Sequence, residues 1–369
     1  MNSQQLVFVG TYTQLGGKGI YPLWLDLETG VLTEAGEPLS IDNPSWLAEW
    51  PDHQRLFAAG ETGQFQGLPT GSLASIAWEL SEQSVQLSLV DQVTSGGRGP
   101  CHILVDSQLK RLVSANYSGG SAYVIDFSDD GRFARRSDGQ ADGLLIQHEG
   151  KGPNPKRQEA PHVHFAGAVP DDQGVLLVDL GLDQIVFYAW EDLAAGSEAP
   201  APRWIEQCPA GSGPRHLAFH PQQPWLYAVC ELSSQIIVYQ WTNQGLKQVQ
   251  IIDTLPQTFA GQSTCASIRV TSDGRWIAAT NRGDDSIAFG RINTEDGTIS
   301  DLAWQPCAGR TPRDLLLVDK DDHSTLMLTA NQDSSNLSVF RLDRTTGVVD
   351  TMGQFSIPAP VRVMAVGCS

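Results

Sequence analysis

Apolar positions along this chain come in paired short runs, not in helical stripes. A run opens near a proline, breaks at a polar turn, resumes as a second run and stops at a polar residue. PSWLAEWPDHQRLFAAGE from Pro44, PCHILVDSQLKRLVSAN from Pro100, GPRHLAFHPQQPWLYAVCE from Gly213, CASIRVTSDGRWIAATN from Cys265 and PRDLLLVDKDDHSTLMLTAN from Pro312 all follow this pattern. PHVHFAGAVPDDQGVLLVD from Pro161 is a variant with a longer interval before its turn, and PVRVMAV from Pro360 is a half-copy. Clean polar-apolar alternation is missing within the runs. That is the expectation for strands covered on both faces.

After each pair comes a third apolar segment ending in a glycine-containing turn, as in WLDLETG, VIDFSDDG, RINTEDG and FRLDRTTG, and then a more variable fourth. Such turns suit β-hairpins. Four strands in a unit that recurs at positions 44, 100, 161, 214, 265, 312 and 360 predict an all-β, seven-bladed β-propeller. The last copy lacks its second run, and LVFVGTY from Leu6 supplies it at the other end of the chain. The ring is therefore expected to close by pairing the N- and C-terminal strands in one blade. Length alone suggests two domains, but the repeat makes 1–369 a single propeller domain.

A propeller's first strands line its channel, so the start of each first strand and the end of each second strand meet at one rim. Aligning the repeats gives a first ring of Ser45, Cys101, His164, Arg215, Ala266, Arg313 and Val361, with the third blade aligned from its turn. The second ring is Glu61, Asn116, Asp179, Glu231, Asn281, Asn331 and Thr11, with Tyr117 and Arg282 beside it. Small turn residues would suffice for structure alone. Arginine, histidine and carboxylate around one mouth are what binding a sugar acid, a phosphate or a lactone requires. Asn116, Asn281 and Asn331 also fit a turn-capping role, whereas Glu231 is a poor turn former. His216 is expected to point away from Arg215 and pack as a core histidine. The tryptophans Trp46, Trp50, Trp204, Trp225 and Trp276 fall in or beside strand patterns and are expected to pack between blades.

The net charge of −18 argues against nucleic-acid and anionic-membrane partners. No apolar run approaches 18 residues and MNSQQLVFVG reads as a strand, so the expectation is a cytoplasmic protein. The six cysteines form no CxxC pair and have no histidine at zinc spacing, so they are expected to be free buried thiols, with no cofactor or metal implied.

RQEAPHVHFA from Arg157, VDLGLDQIVFY from Val178, GSGPRHLAFHP from Gly211 and ATNRGDDSIAFGRI from Ala279 resemble the seven-bladed lactonase family, as does the N-terminal VFVGTYT. That family includes 6-phosphogluconolactonase and a carboxy-cis,cis-muconate cyclase. The resemblance covers essentially the whole chain. It implies a site at the channel mouth made of His162 or His164, Arg215, Glu231 and Arg282. Arg269 departs from the family pattern, standing where an apolar or small residue is usual.

The leading expectation is hydrolysis of a sugar-derived lactone, first among them 6-phosphogluconolactone. Glu231 or His164 would be the base, Arg215 and Arg282 would stabilise the oxyanion or grip the anion, and Arg157 with Lys156 would add a phosphate site. His162, Arg313, Asp179 and Asn116 complete the expected substrate-binding set. Covalent catalysis is disfavoured, because there is no GxSxG elbow and no cysteine beside a suitable histidine. Three alternatives remain: a muconate-type lactonising or delactonising lyase, a metal-dependent lactonase using Glu61, Asn116 and Asp179 as oxygen ligands, and a non-catalytic interaction propeller.

Overall fold

The computed structural model describes residues 4–51, 53–82, 84–170, 173–193, 200–242 and 244–367. They form seven four-stranded antiparallel sheets arranged as the blades of a propeller. Among the described residues the only helical segments are two single turns, Thr13–Leu15 and Trp190–Asp192. No helix is long and apolar enough to cross a membrane. In the seventh blade, strand Gln4–Thr11 lies between Pro360–Ala365 and Ile20–Asp26, so the two ends of the chain close the ring.

Apolar clusters fill the spaces between neighbouring sheets. Val7, Leu23 and Leu25 of the seventh blade meet Leu326, Leu328 and Val339 of the sixth, all essentially without solvent contact. Each inner sheet is thus buried on both faces, which is why the runs show no alternation. Trp276 ties blades together by donating its indole N–H to the Arg344 carbonyl at 2.9 Å. Five cysteines are free and buried. Cys368 lies outside the described residues.

The inner strands are Pro44–Trp50, Pro100–Asp106, Val163–Ala168, Pro214–Phe219, Thr264–Val270, Pro312–Asp319 and Pro360–Ala365. All seven carry an irregularity near their start: Pro44 pairs with Gly60 but Trp46 with Ala59, and Pro214 pairs with Cys230 but His216 with Val229. Such a β-bulge leaves one extra residue, so two consecutive side chains face the same side. His164 is the extra residue in the third blade, as Arg215 is in the fourth.

The bulge corrects the expectation for His216. It does not point away from Arg215 but lies beside it, with Arg215 Nη1 3.3 Å from a ring nitrogen. Together with Trp46, His102, Phe165, Ser267, Asp314 and Arg362 it forms a second layer of channel-facing side chains. Trp46 packs against His102 with ring centroids 3.9 Å apart, and His102 against Phe165 at 4.2 Å, both pairs tilted. Ser267 donates to Asp314 at 2.9 Å, Asp314 accepts from Arg362 at 2.9 Å, and Arg362 lies 3.8 Å over Trp46. Trp46 and His216, from blades one and four, meet edge to face at 5.2 Å. This layer is a floor across the channel, with Trp46 part of it and not packed only between blades.

Candidate active site

Above the floor is a cavity of about 210 Å³. Its walls come from two structural positions that recur around the ring. One is the extra residue of the bulge, which supplies Cys101, His164 and Arg313. The other is the residue that follows the second-strand partner of the blade-opening residue, which supplies Tyr12, Glu61, Tyr117, Glu231 and Arg282.

The second ring read from sequence is out of register by one in five of its blades. The pairing partners of the blade-opening residues are Gly60, Asn116, Cys230, Asn281, Asn331 and Thr11, with Asp179 opposite Val163. Glu61 and Glu231 therefore correspond to Tyr117, Leu180, Arg282, Gln332 and Tyr12, one residue further on. A repeated backbone bond fixes this position: Glu61, Tyr117, Glu231 and Tyr12 donate their amides to the carbonyls of Asn43, Gly99, Gly213 and Ala359 at 2.7–3.0 Å. The residues supplying those carbonyls have positive φ, +64° at Gly99 and +59° at Gly213, a backbone conformation that glycine adopts without a Cβ penalty.

The residues at the paired positions are structural. Asn116 donates to the Ser95 carbonyl at 2.9 Å and to Ser121 at 3.3 Å, and Asn281 and Asn331 make equivalent bonds. Asp179 accepts from the His162 amide at 2.8 Å and the Leu182 amide at 3.1 Å, and its other oxygen is 2.8 Å from His148 Nδ1. Both are fully buried and neither borders the cavity. Glu61, Asn116 and Asp179 consequently do not converge, and among the described residues no three His, Cys, Asp or Glu side chains are grouped to hold a metal ion.

Glu231 is the centre of charge. Its carboxylate lies 2.7 Å from Arg282 Nη2 and 3.1 Å from Arg215 Nε, and it also pairs with Arg157 Nη2. The Arg215 contact is off the hydrogen-bond direction, leaving that N–H without a partner. Burial opposes charge on Glu231, but Arg282, Arg215, His164 and Arg157 together outweigh it and hold the carboxyl far below the usual carboxylate range. Burial and the neighbouring Arg282 lower Arg215 to about 10, so it stays charged at neutral pH. Arg215 is only 3% exposed, and its guanidinium is occupied by Glu231, the Ala266 carbonyl and His216. It stands behind Glu231 and does not border the cavity, contrary to the expectation that it contacts substrate.

Of the two histidines in the PHVH motif, His164 lines the cavity. His162 stacks on Tyr117 at 4.5 Å and donates Nδ1–H to the Tyr117 carbonyl at 3.0 Å, supporting that wall from behind. Burial, then Arg215, pushes the His164 pKa well below the usual histidine value, so its ring is neutral at pH 7. Its Nδ1 is 3.7 Å from Cys101 Sγ. A cysteine therefore does sit beside a suitable histidine, across two blades, which the sequence reading did not find. Burial and Glu61 push that thiol's pKa well up. It remains a protonated thiol, so the pair is not an activated nucleophile.

Arg157 reaches the cavity from the loop before the third blade, where it also bonds the Tyr117 hydroxyl at 3.3 Å. Gln158 pins that loop by donating to Asp183 at 2.7 Å and to the Leu180 carbonyl at 2.9 Å. Lys156 is exposed, with its side chain outside the cavity wall. On the opposite wall the Tyr12 hydroxyl donates to Glu61 at 2.7 Å, and Arg313 lies 3.5 Å from the same carboxylate oxygen. Arg313 holds its partner more loosely than the other arginines hold theirs. Around the site four arginines (Arg157, Arg215, Arg282 and Arg313) face two glutamates. The site is locally positive in a chain of formal charge −18.

A family model described as lactonase, 7-bladed beta-propeller, matches residues 6–365. A 6-phosphogluconolactonase of Bacillus subtilis is 32% identical over 362 residues, covering 96% of this chain and 97% of that protein. Another 6-phosphogluconolactonase, from Formosa agariphila, is 28% identical and covers 94% of this chain and 95% of its own. Among solved structures, the periplasmic gluconolactonase of Pseudomonas aeruginosa superposes with a TM-score of 0.88 at 27% identity, covering 100% of both chains.

Proposed function

The chain belongs to the seven-bladed β-propeller lactonase family, and from that premise we propose that it hydrolyses 6-phosphogluconolactone in the cavity above the channel floor. The observation that carries this reading is the match of charge and size. Four arginines against two glutamates leave two formal positive charges, and a phosphate monoester carries close to two negative ones at pH 7. About 210 Å³ is space for one sugar lactone.

His164 is the base. Being neutral at pH 7, it takes a proton from water as the oxygen attacks the lactone carbonyl, and the charge it acquires is stabilised by the nearby Glu231 carboxylate. Arg282, at the cavity wall beside Glu231, stabilises the oxyanion of the tetrahedral intermediate. When that intermediate collapses, the ring C–O bond breaks and His164 returns the proton to the leaving alkoxide. The new carboxylic acid then ionises, releasing one proton to solvent. Glu231 acts as the anchor that sets three arginines in place, not as the base, because both of its carboxylate oxygens are already engaged by Arg157, Arg215 and Arg282. Arg313, with its loose partner, takes the phosphate.

The test is a hydrolysis screen of 6-phosphogluconolactone, glucono-δ-lactone and a muconolactone-type substrate, each corrected for spontaneous ring opening. The phosphorylated lactone is expected to have a kcat/KM about tenfold or more above its unphosphorylated counterpart. Equal values would remove the phosphate assignment while leaving lactone hydrolysis in place.

A further inference from the structure

Below the floor the channel opens into a second cavity of about 420 Å³ at the opposite mouth. We propose that it is a separate binding site for a small monocarboxylate with an apolar body, with Arg269 as the anion anchor.

The floor layer separates the two cavities: Trp46 and His216 meet at 5.2 Å across the channel, and the two cavities share no wall residue. The lower walls are apolar, with Leu104, Phe165, Leu217 and Leu316 among them. A few convergent polar groups in such a cavity, of this volume, are the usual make-up of a small-molecule site.

Those polar groups are built, not incidental. Asp314 is fully buried and accepts from Ser267, Arg269, Arg362 and the Val363 amide, so it is saturated. Arg362 is spent on Asp314 and the Leu47 carbonyl. Arg269 donates to Asp314 at 3.1 Å and to the Ile268 carbonyl at 2.8 Å. That uses two of its five N–H donors. Asp314 and Glu49 together balance Arg362 and Arg269, so what Arg269 offers the cavity is its unused N–H donors, not a net charge. Glu49, at the outer lip, accepts from the Gly367 amide at 2.8 Å.

His102 is the second recognition group. Its Nδ1 accepts from the Ala166 amide at 3.4 Å, which places its proton on Nε2. The ring is 5% exposed, lines the lower cavity, and makes no hydrogen bond through Nε2 to a described residue. A carboxylate held by Arg269 and His102 would lay an apolar body against the leucines and Phe165. Such a ligand is chemically unlike a sugar acid, and the inference does not rest on the reaction assigned to the upper cavity.

Calorimetric titration of the full-length protein with benzoate, with benzyl alcohol as its uncharged counterpart, tests this. Benzoate is expected to bind with a Kd of about 1 mM or tighter and benzyl alcohol about tenfold more weakly. Arg269→Met should weaken benzoate about tenfold. Leu316→Trp, which fills the cavity and leaves Arg269 in place, should abolish binding. Saturating 6-phosphogluconate should not displace benzoate. The proposal is overturned by no benzoate binding at about 20 mM, by equal binding of benzyl alcohol, by undiminished binding in Leu316→Trp, or by displacement with 6-phosphogluconate.

Discussion

Glu231 Oε2 lies 2.7 Å from Arg282 Nη2, with side-chain exposures of only 5% and 15%. A carboxylate and a guanidinium this close and this dry depend on one another, and Arg215, more deeply buried, depends on the same carboxylate. Removing the acid strands a buried charge, a change that costs about 3–5 kcal/mol where it has been measured.

Glu231→Gln keeps the shape and removes the charge. It should lower unfolding free energy by about 3 kcal/mol in urea titrations and reduce kcat/KM at least about a hundredfold, as the arginines lose their common anchor. A variant of unchanged stability would mean that solvent or other groups compensate Arg215.

The histidine assignment separates two neighbours in one motif. His164→Asn should cut kcat by about a hundredfold or more. His162→Asn removes only support behind Tyr117 and should stay within about tenfold of the parent. Steady-state kinetics of the two variants side by side check this, and the reverse order would transfer the base to His162.

Acid stability follows from the channel histidines. Burial pushes His102, His164 and His216 well below the usual histidine value, with positive neighbours adding to the effect. Each is therefore neutral when folded but protonates near pH 6.5 when unfolded. The unfolded state binds more protons, so this contribution to stability is complete above about pH 6.5 and is lost as pH falls below it. With three such groups the loss approaches about 4 kcal/mol per pH unit. Urea midpoints measured from pH 7 to pH 5 should show it, with a shallower slope in His216→Gln. Glu231 acts further down. Its folded pKa is depressed, so its contribution is intact above the unfolded carboxylate value of about 4.3 and disappears only below it.

The propeller and its closure were legible because a repeat states its architecture several times over, and the half-copies at the two ends mark the seam. The first ring was legible for the same reason, His164 included once its blade was aligned from the turn. Two things were hidden. The bulge at Arg215 leaves no mark in GPRHLAFHP, because it is defined by the partner strand, and so His216 was assigned to the wrong side and Trp46 was expected only between blades, where it does pack, and not also in the channel floor. The end of the second strand was also ambiguous by one residue, which separated Glu61 and Glu231 from their counterparts Tyr12, Tyr117 and Arg282 and promoted Asn116 and Asp179 in their place. Tyr117 and Arg282, noted beside the ring, carried the correct signal: polar, bulky residues recurring one step beyond it. The Cys101–His164 contact joins two blades and had no local signature at all.

The most direct test of the account is the selectivity of Arg313→Gln. Measured as kcat/KM for 6-phosphogluconolactone against glucono-δ-lactone, with spontaneous opening subtracted, the parent's preference for the phosphorylated substrate should fall by about tenfold or more. The unphosphorylated rate should change by less than about threefold. A variant that keeps the parent's preference would contradict phosphate binding by Arg313 and, with it, the placement of the substrate in the upper cavity.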